Sequence, residues 1–280
     1  MSTELFPNLI VGGAPKCGTS SLYFWLAAHP DVYGSPKKET FFYADKVNRF
    51  NKEANVHEHD EAAYLKFFAG SGDAKVRFEA TAHYLYEEQA LKAFAAHGSK
   101  MIFLFREPSK QMYSHYKMEK YRTKTVVDMP LEEYVKLPKI DRYVDYAGHL
   151  KRWFDVIPAT QIKVYLFEDF MRRKEEVMKE IAAFVGVDPA FYDGFDFEHR
   201  NESVAIRSGK LHQLGLKLQP LIPHGLQKRL LPLYMKLNSG GRVQDDSSDQ
   251  QVLARFKQDK RHVGEALKEL VPELKIELWN

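Results

Sequence analysis

Residues 9–21, Leu-Ile-Val-Gly-Gly-Ala-Pro-Lys-Cys-Gly-Thr-Ser-Ser, constrain the fold more than any other stretch of the chain. An apolar strand, Leu9 to Val11, runs into a loop bounded by Gly13 and Gly18, and the loop opens a helix at Thr19 or Ser20. The two glycines have the G-x-x-x-x-G spacing of a phosphate-cradling loop, but Thr19 and Ser20 follow where such a loop carries Lys and Ser/Thr. The lysine stands inside the loop instead, at Lys16. A P-loop kinase or ATPase needs its lysine on the β- and γ-phosphates with Mg²⁺ beside it. Here the amides and the helix N-terminus still suit a doubly charged phosphate, while the ammonium sits within the turn, close to whatever leaves from that phosphate.

Strand-like runs recur at Leu9–Val11, Val76–Glu79, Met101–Phe105 and Ile162–Phe167. Helical patterns lie between and after them, at about residues 20–28, 60–69, 87–97, 109–122, 141–156 and 174–185. Strands alternating with helices predict an α/β fold, with a central parallel sheet flanked by helices in three layers. Met101 to Phe105 is apolar without alternation, as a strand covered on both faces must be. The helix at 174–185 is punctuated by Gly186 and Pro189. One domain is expected over residues 1–280, an α/β core at 5–200 followed by a helical C-terminal part at 201–280. Ligands of open α/β sheets collect at the C-terminal strand ends. Lys16, Thr81, His83 and Arg106 all follow predicted strands.

Composition narrows the function. With 280 residues, 44% of them hydrophobic, the chain can bury one large α/β core or two small ones. No run of about 18 apolar residues marks a membrane span, and Met1 to Pro7 has neither the basic nor the apolar region of a secretory signal. The single cysteine, Cys17, cannot form an internal disulfide, so a cytoplasmic location is expected. A net charge of +3 is too small to argue for nucleic acid. That charge is unevenly spread: no Asp or Glu lies between Ser203 and Arg242, while leucines at 211, 214, 218 and 221 form a helical stripe. The plain reading is a helix with a solvated basic face. Two sharper ones are a lip for an anionic substrate and a weak peripheral contact with anionic lipid.

A second constellation is Phe105-Arg106-Glu107-Pro108, with Ser114 beyond it. Arg106 ends a buried strand, Pro108 suits the first turn of the next helix, and Ser114 follows on that helix. A guanidinium fork with a nearby hydroxyl can grip a terminal phosphate. A third is Pro36-Lys-Lys-Glu39-Thr-Phe-Phe42, and a fourth is Phe78-Glu-Ala-Thr-Ala-His83-Tyr-Leu85.

Gly13-Ala-Pro-Lys-Cys-Gly-Thr-Ser-Ser-Leu22 resembles the 5′-phosphosulfate loop of sulfotransferases that use 3′-phosphoadenosine 5′-phosphosulfate (PAPS), in the bacterial and heparan-sulfate-like branch. The resemblance implies that Lys16, Cys17, Gly18, Thr19, Ser20 and Ser21 hold the 5′-phosphate and that Arg106 and Ser114 hold the 3′-phosphate. PAPS is then the co-substrate and PAP, its desulfated form, the product, with no metal required. Residues 36–42 resemble the Lys-Glu-x-x-Phe-Phe segment whose glutamate is the catalytic base. That makes Glu39 the expected base and His83 the alternative, since transfer to a hydroxyl needs a proton acceptor beside the acceptor oxygen. Residues 78–85 resemble a Glu-Lys-Ser/Thr-Pro-x-Tyr-Phe segment lining the acceptor cleft, except that Ala80 and Ala82 replace the lysine and the proline. The missing lysine puts a polyanionic glycan acceptor in doubt.

Val164 to Phe170 resembles a late strand of the family with a structural Tyr-Glu-Asp signature, and Leu253 to Trp279 resembles its terminal helix. Asn201-Glu-Ser203 and Ile206-Arg207-Ser208 fall where related enzymes close a loop over the nucleotide, which implies a further phosphate contact from Arg207. The histidines lack metal-ligand spacing. Sulfuryl transfer to a hydroxyl, or second to an amine, is expected, on a small metabolite, a glycolipid or a saccharide. Two alternatives stand beside it. One is a non-catalytic PAPS- or PAP-binding protein docking on membranes through 203–242. The other is a P-loop nucleoside kinase, whose Gly-Lys-Ser/Thr is absent.

Overall fold

Five strands form a parallel sheet: β1 (Leu9–Gly13), β2 (Val32–Gly34), β3 (Val76–Ala80), β4 (Lys100–Phe105) and β5 (Ile162–Leu166), in the spatial order β2-β3-β1-β4-β5. The computed structural model describes residues 5–122, 129–197, 204–206, 234, 239–242 and 247–280. Every residue of β1 is buried, as is every residue of β4 after Lys100, because helices cover both faces of the sheet. Leu9 pairs with Phe78 on one side and Lys100 on the other, so β1 lies at the centre of the sheet.

The helices are α1 (Thr19–Ala27), α2 (Glu61–Leu65), α3 (Glu88–Ala96), α4 (Pro108–Arg122), α5 (Leu131–Tyr134), α6 (Pro138–Val144), α7 (Tyr146–Phe154), α8 (Phe167–Arg172) and α9 (Lys174–Val185). The chain leaves β1 towards β2 and leaves β4 towards β5. Adjacent central strands therefore connect in opposite directions. The crevice beyond their C-terminal ends is the topological switch point, where ligands of such sheets bind. The loops after β1 and β4, carrying Lys16 and Arg106, border it.

Local chemistry sets the boundaries. Glu107 caps α4: its carboxylate accepts from the Ser109 amide at 2.9 Å, the Ser109 hydroxyl at 2.7 Å and the Lys110 amide at 3.2 Å. Helix α9 stops at Gly186, φ 87°, whose amide bonds to the Ala182 carbonyl as the punctuation predicts.

Several expectations are corrected. The helix predicted at 141–156 is two helices, because Asp145 leaves helical geometry (ψ 64°) and caps α7 by accepting from the Gly148 amide. The late strand expected at Val164–Phe170 ends at Leu166, and Glu168 and Asp169 lie on α8. Strand β2 has three residues, too few to show a periodicity, and was not anticipated. The C-terminal part is not helical throughout. Val204–Ile206 pairs antiparallel with Ser239–Arg242, ahead of helices Ser247–Asp259 and Arg261–Leu270 and a final 3₁₀ turn, Ile276–Trp279. The leucine stripe at 211–221 and most of the basic segment lie outside the described residues. Val263, Leu267, Val271, Leu274 and Trp279 join the main core around the sheet. A smaller core forms beneath α4, where Met112, Tyr113 and Tyr116 meet Leu131, Tyr134, Ile140, Val144 and Phe256. Among the described residues no helix is long and apolar enough to cross a membrane.

Candidate active site

The β1–α1 loop is shaped by two glycines. At Gly13, φ 156°, a Cβ would come within 2.8 Å of both the Ala82 carbonyl oxygen and the Leu85 Cβ, so the loop runs directly against the segment after β3. Gly18, φ 91°, is the N-cap of α1, and a Cβ there would meet the Phe167 ring at 2.8 Å. No side chain caps α1, and its first turn carries no acid. The early amides of such a helix have no partner within the helix, and its positive end favours an anion. Thr19 and Ser21 are buried, Ser20 half-buried. The Cys17 amide already bonds to the Ala14 carbonyl at 3.3 Å. Its thiol is buried beside the Pro15 carbonyl, and burial pushes its pKa far up, so Cys17 is a structural member of the loop rather than a nucleophile.

Arg106 closes the loop from the β4 side. Its Nη1 donates to the Lys16 carbonyl at 3.4 Å, and its guanidinium stacks over Phe167 at 4.5 Å. Its Nε is buried with no hydrogen-bond partner among the described residues. A buried orphan donor on a cation is costly, and an anionic oxygen would satisfy it. Ser114 is half-buried on α4. The loop and α4 are joined again by Gln111, whose side-chain amide donates to the Pro15 carbonyl at 3.1 Å. Glu168, expected to be structural, accepts from the Glu107 amide at 3.2 Å and from the Trp279 indole at 2.9 Å, which ties the chain's end to the rim of the site. Arg207, Asn201, Ser203 and Ser208 lie outside the described residues.

Across the crevice, Glu39 is anchored to the end of β3. Its amide donates to the Ala80 carbonyl at 3.0 Å, and its carboxylate accepts from the Ala82 amide at 3.1 Å. The carboxylate also meets Lys38 Nζ at 2.5 Å. Of the two phenylalanines that follow Glu39, Phe42 turns into the core, and the group nearest the carboxylate is a cation. Phe41 remains beside the site. Its ring stacks on Phe50 at 5.0 Å and 16°, with Phe50 48% exposed, and lies 5.3 Å from His83. The His83 ring also packs near Tyr86 and Tyr143, and its Nδ1 is buried without a partner among the described residues. Burial holds its pKa below the usual histidine range, with the Glu39 charge opposing. Neutral His83 can therefore accept a proton.

Three non-glycine residues have left-handed backbones among those described: Lys16 (φ 68°), Glu39 (φ 62°) and Phe41 (φ 54°). Such conformations cost about 1–3 kcal/mol each and gather at functional sites. All three flank this crevice. Sequence reasoning missed what holds Glu39 in place. Glu79, next to the end of β3, is fully buried and accepts from Tyr64 Oη (2.5 Å), Thr40 Oγ1 (2.6 Å) and Thr81 Oγ1 (2.9 Å). Burial raises its pKa while these donors oppose the shift. The signal was available, since a charged residue inside a buried strand must be paired. Among the described residues no cluster of three or more His, Cys, Asp or Glu could hold a metal ion.

Comparison with known proteins fits this geometry. A family model described as "Sulfotransferase domain" matches residues 6–203. The human bifunctional heparan sulfate N-deacetylase/N-sulfotransferase 3 is 27% identical over 206 residues, which cover 67% of this chain and 23% of that protein. The mouse N-deacetylase/N-sulfotransferase 1 is 28% identical over 202 residues, covering 66% and 22% respectively. The match thus spans under a quarter of these relatives' length. The crystal structure of a sulfotransferase from Alicyclobacillus acidocaldarius aligns with a TM-score of 0.57 and 27% identity, over 81% of this chain and 95% of that one. With the family model matched across both walls of the crevice, the chain belongs to the sulfotransferase family.

Proposed function

We propose that the protein transfers a sulfuryl group from PAPS to a hydroxyl or amino group of its acceptor. The observation that carries the donor assignment is the meeting of the Arg106 fork and the Lys16 loop at the switch point, with Arg106 Nε buried and unpartnered. The early amides of α1 take the 5′-phosphate, and Arg106 with Ser114 takes the 3′-phosphate. Lys16 offsets the charge that develops on the oxygen between phosphorus and sulfur as that bond breaks. Preorganised donors of this kind are typically worth roughly 3–4 kcal/mol each. Attack by the acceptor forms the new S–O or S–N bond in line with the departing phosphate oxygen. The acceptor's proton passes to Glu39, so the products are the sulfated acceptor and PAP.

The acceptor stays open at the level of chemical class. An amino group joins the hydroxyl because the curated relatives are N-sulfotransferases by name. Ala80, in place of the family's cleft lysine, argues against a polyanionic acceptor, and the Phe41–Phe50 shelf suits one with an apolar ring face. The test is to incubate the protein with ³⁵S-labelled PAPS and a panel of N-unsubstituted and N-acetylated amino sugars, phenols and glycolipids. Label should move to a panel member with equimolar release of PAP. Tight PAP binding with no transfer to any member would favour a non-catalytic nucleotide-binding protein.

A further inference from the structure

His115 takes no part in the transfer proposed above, yet it is buried to 4% exposure at the end of a polar chain. Its Nδ1 lies 2.8 Å from Tyr134 Oη. Tyr134 donates to Glu119 Oε2 at 2.9 Å, and Lys139 Nζ donates to the same oxygen at 2.6 Å. A carboxylate facing these donors can only accept, and a phenol has one proton to give. The Tyr134 oxygen must therefore accept from His115. Donation runs from His115 to Tyr134 to Glu119, with Lys139 closing the far end. This order fixes the imidazole as the Nδ1–H tautomer and leaves a lone pair on Nε2.

The helix face says where the imidazole sits. Gln111 lies one turn earlier on the same face of α4 and reaches the Pro15 carbonyl of the β1–α1 loop. His115, four residues on, lies on that same face, near enough to Lys16 to feel its charge. The Tyr143 ring packs 5.1 Å from His115 and 6.2 Å from His83. His115 therefore sits between the donor loop and the acceptor side of the crevice, bordered by Lys16, His83, Tyr143, Tyr134, Glu119 and Lys139.

We propose that, for an amine acceptor, His115 positions the nucleophile, its Nε2 accepting a hydrogen bond from one N–H while the other proton passes to Glu39. This rests on the donor reading above. A weakly basic but unprotonated imidazole suits the task, since it orients a hydrogen-bonded nucleophile without competing for its proton. Burial is the main cause that pushes the His115 pKa down to about 4; Glu119 opposes it, and His83, Lys139 and Lys16 add to it.

Long-range ¹H–¹⁵N correlation spectra of the full chain with ¹⁵N-labelled histidine test this without a known acceptor. His115 is assigned by the signal lost in His115→Gln or, should that variant not fold, in His115→Asn. At neutral pH the expected pattern is a protonated Nδ1 and an unprotonated Nε2, and an Nε2–H tautomer would overturn the proposal. Addition of PAP places its 5′-phosphate beside Lys16. The Nε2 resonance should then move, and its titration midpoint should rise from about 4. If calorimetry on the same sample shows PAP bound while His115 stays unmoved, His115 does not face the transfer site and the donor reading survives. If PAP does not bind, the donor reading fails and this placement fails with it.

Discussion

Lys16 and Glu39 both stand at left-handed backbone positions on facing walls of one crevice, yet they are held there in different ways. The donor wall is made of backbone: two glycines, an uncapped helix start and carbonyls gripped by Arg106 and Gln111. The acceptor wall is made of buried side chains, with Glu79 collecting Tyr64, Thr40 and Thr81 so that the Glu39 turn cannot relax. A backbone cradle tolerates changes in the side chains around it. A side-chain network loses several bonds when one member goes. The two walls should therefore respond to mutation in separable ways.

The sharpest separation comes from Glu39→Gln. Turnover should fall by about 10²–10⁴-fold, as for loss of a general base, with PAP affinity by calorimetry unchanged. Nearly full activity would move the base to His83. Lys16→Ala attacks the other wall, and kcat should drop about 10²–10³-fold, the loss typical of one preorganised donor. Arg106→Ala should leave chemistry less affected but weaken PAP about tenfold to a hundredfold, the scale of a hydrogen bond to a charged group. AMP, which has no 3′-phosphate, should bind the variant and the wild type alike. Equal weakening of AMP would mean that Arg106 supports the loop rather than reading the phosphate.

The difference between the walls also explains what could be read from the chain alone. The donor wall lies in short contiguous stretches, 9–21 and 105–114, whose spacing carries the chemistry, so the resemblance reached it. The parallel sheet flanked by helices followed from the alternation of elements, whereas the strand order and the central place of β1 came only from the structure. The acceptor wall draws on residues 38–41, 64, 79–84, 115, 134 and 143, brought together by tertiary packing that no local pattern encodes. Lys38 as the partner of Glu39 shows the limit. Nothing in the order of residues marks the pairing, and the two meet at a left-handed backbone position.

Smaller effects test the acceptor wall's network. Tyr64→Phe leaves Glu79 with one donor fewer and should cost about 1–3 kcal/mol in urea unfolding, with PAP affinity intact. A loss of PAP affinity in Tyr64→Phe would show that the walls are coupled. The smallest effect is on pH dependence. Burial holds His83, His115 and His149 below the ordinary histidine range. The unfolded chain therefore binds more protons than the folded one below about pH 6.5, and these residues make stability fall as the solution is acidified. Glu79, raised by burial, pulls the other way. The urea midpoint should decline between about pH 7 and 5 more steeply in the wild type than in His115→Gln. Parallel slopes would remove His115 from the titrating set.

The most direct test of the central claim, that the two loops at the switch point form a PAPS site, is calorimetric titration of PAP, AMP and ATP with EDTA present. PAP should bind at least about tenfold more tightly than AMP, since the 3′-phosphate adds charge-assisted bonds worth about 1.5–3 kcal/mol. ATP should bind no better than AMP. Equal affinity for PAP and AMP, or a preference for ATP, would contradict the claim.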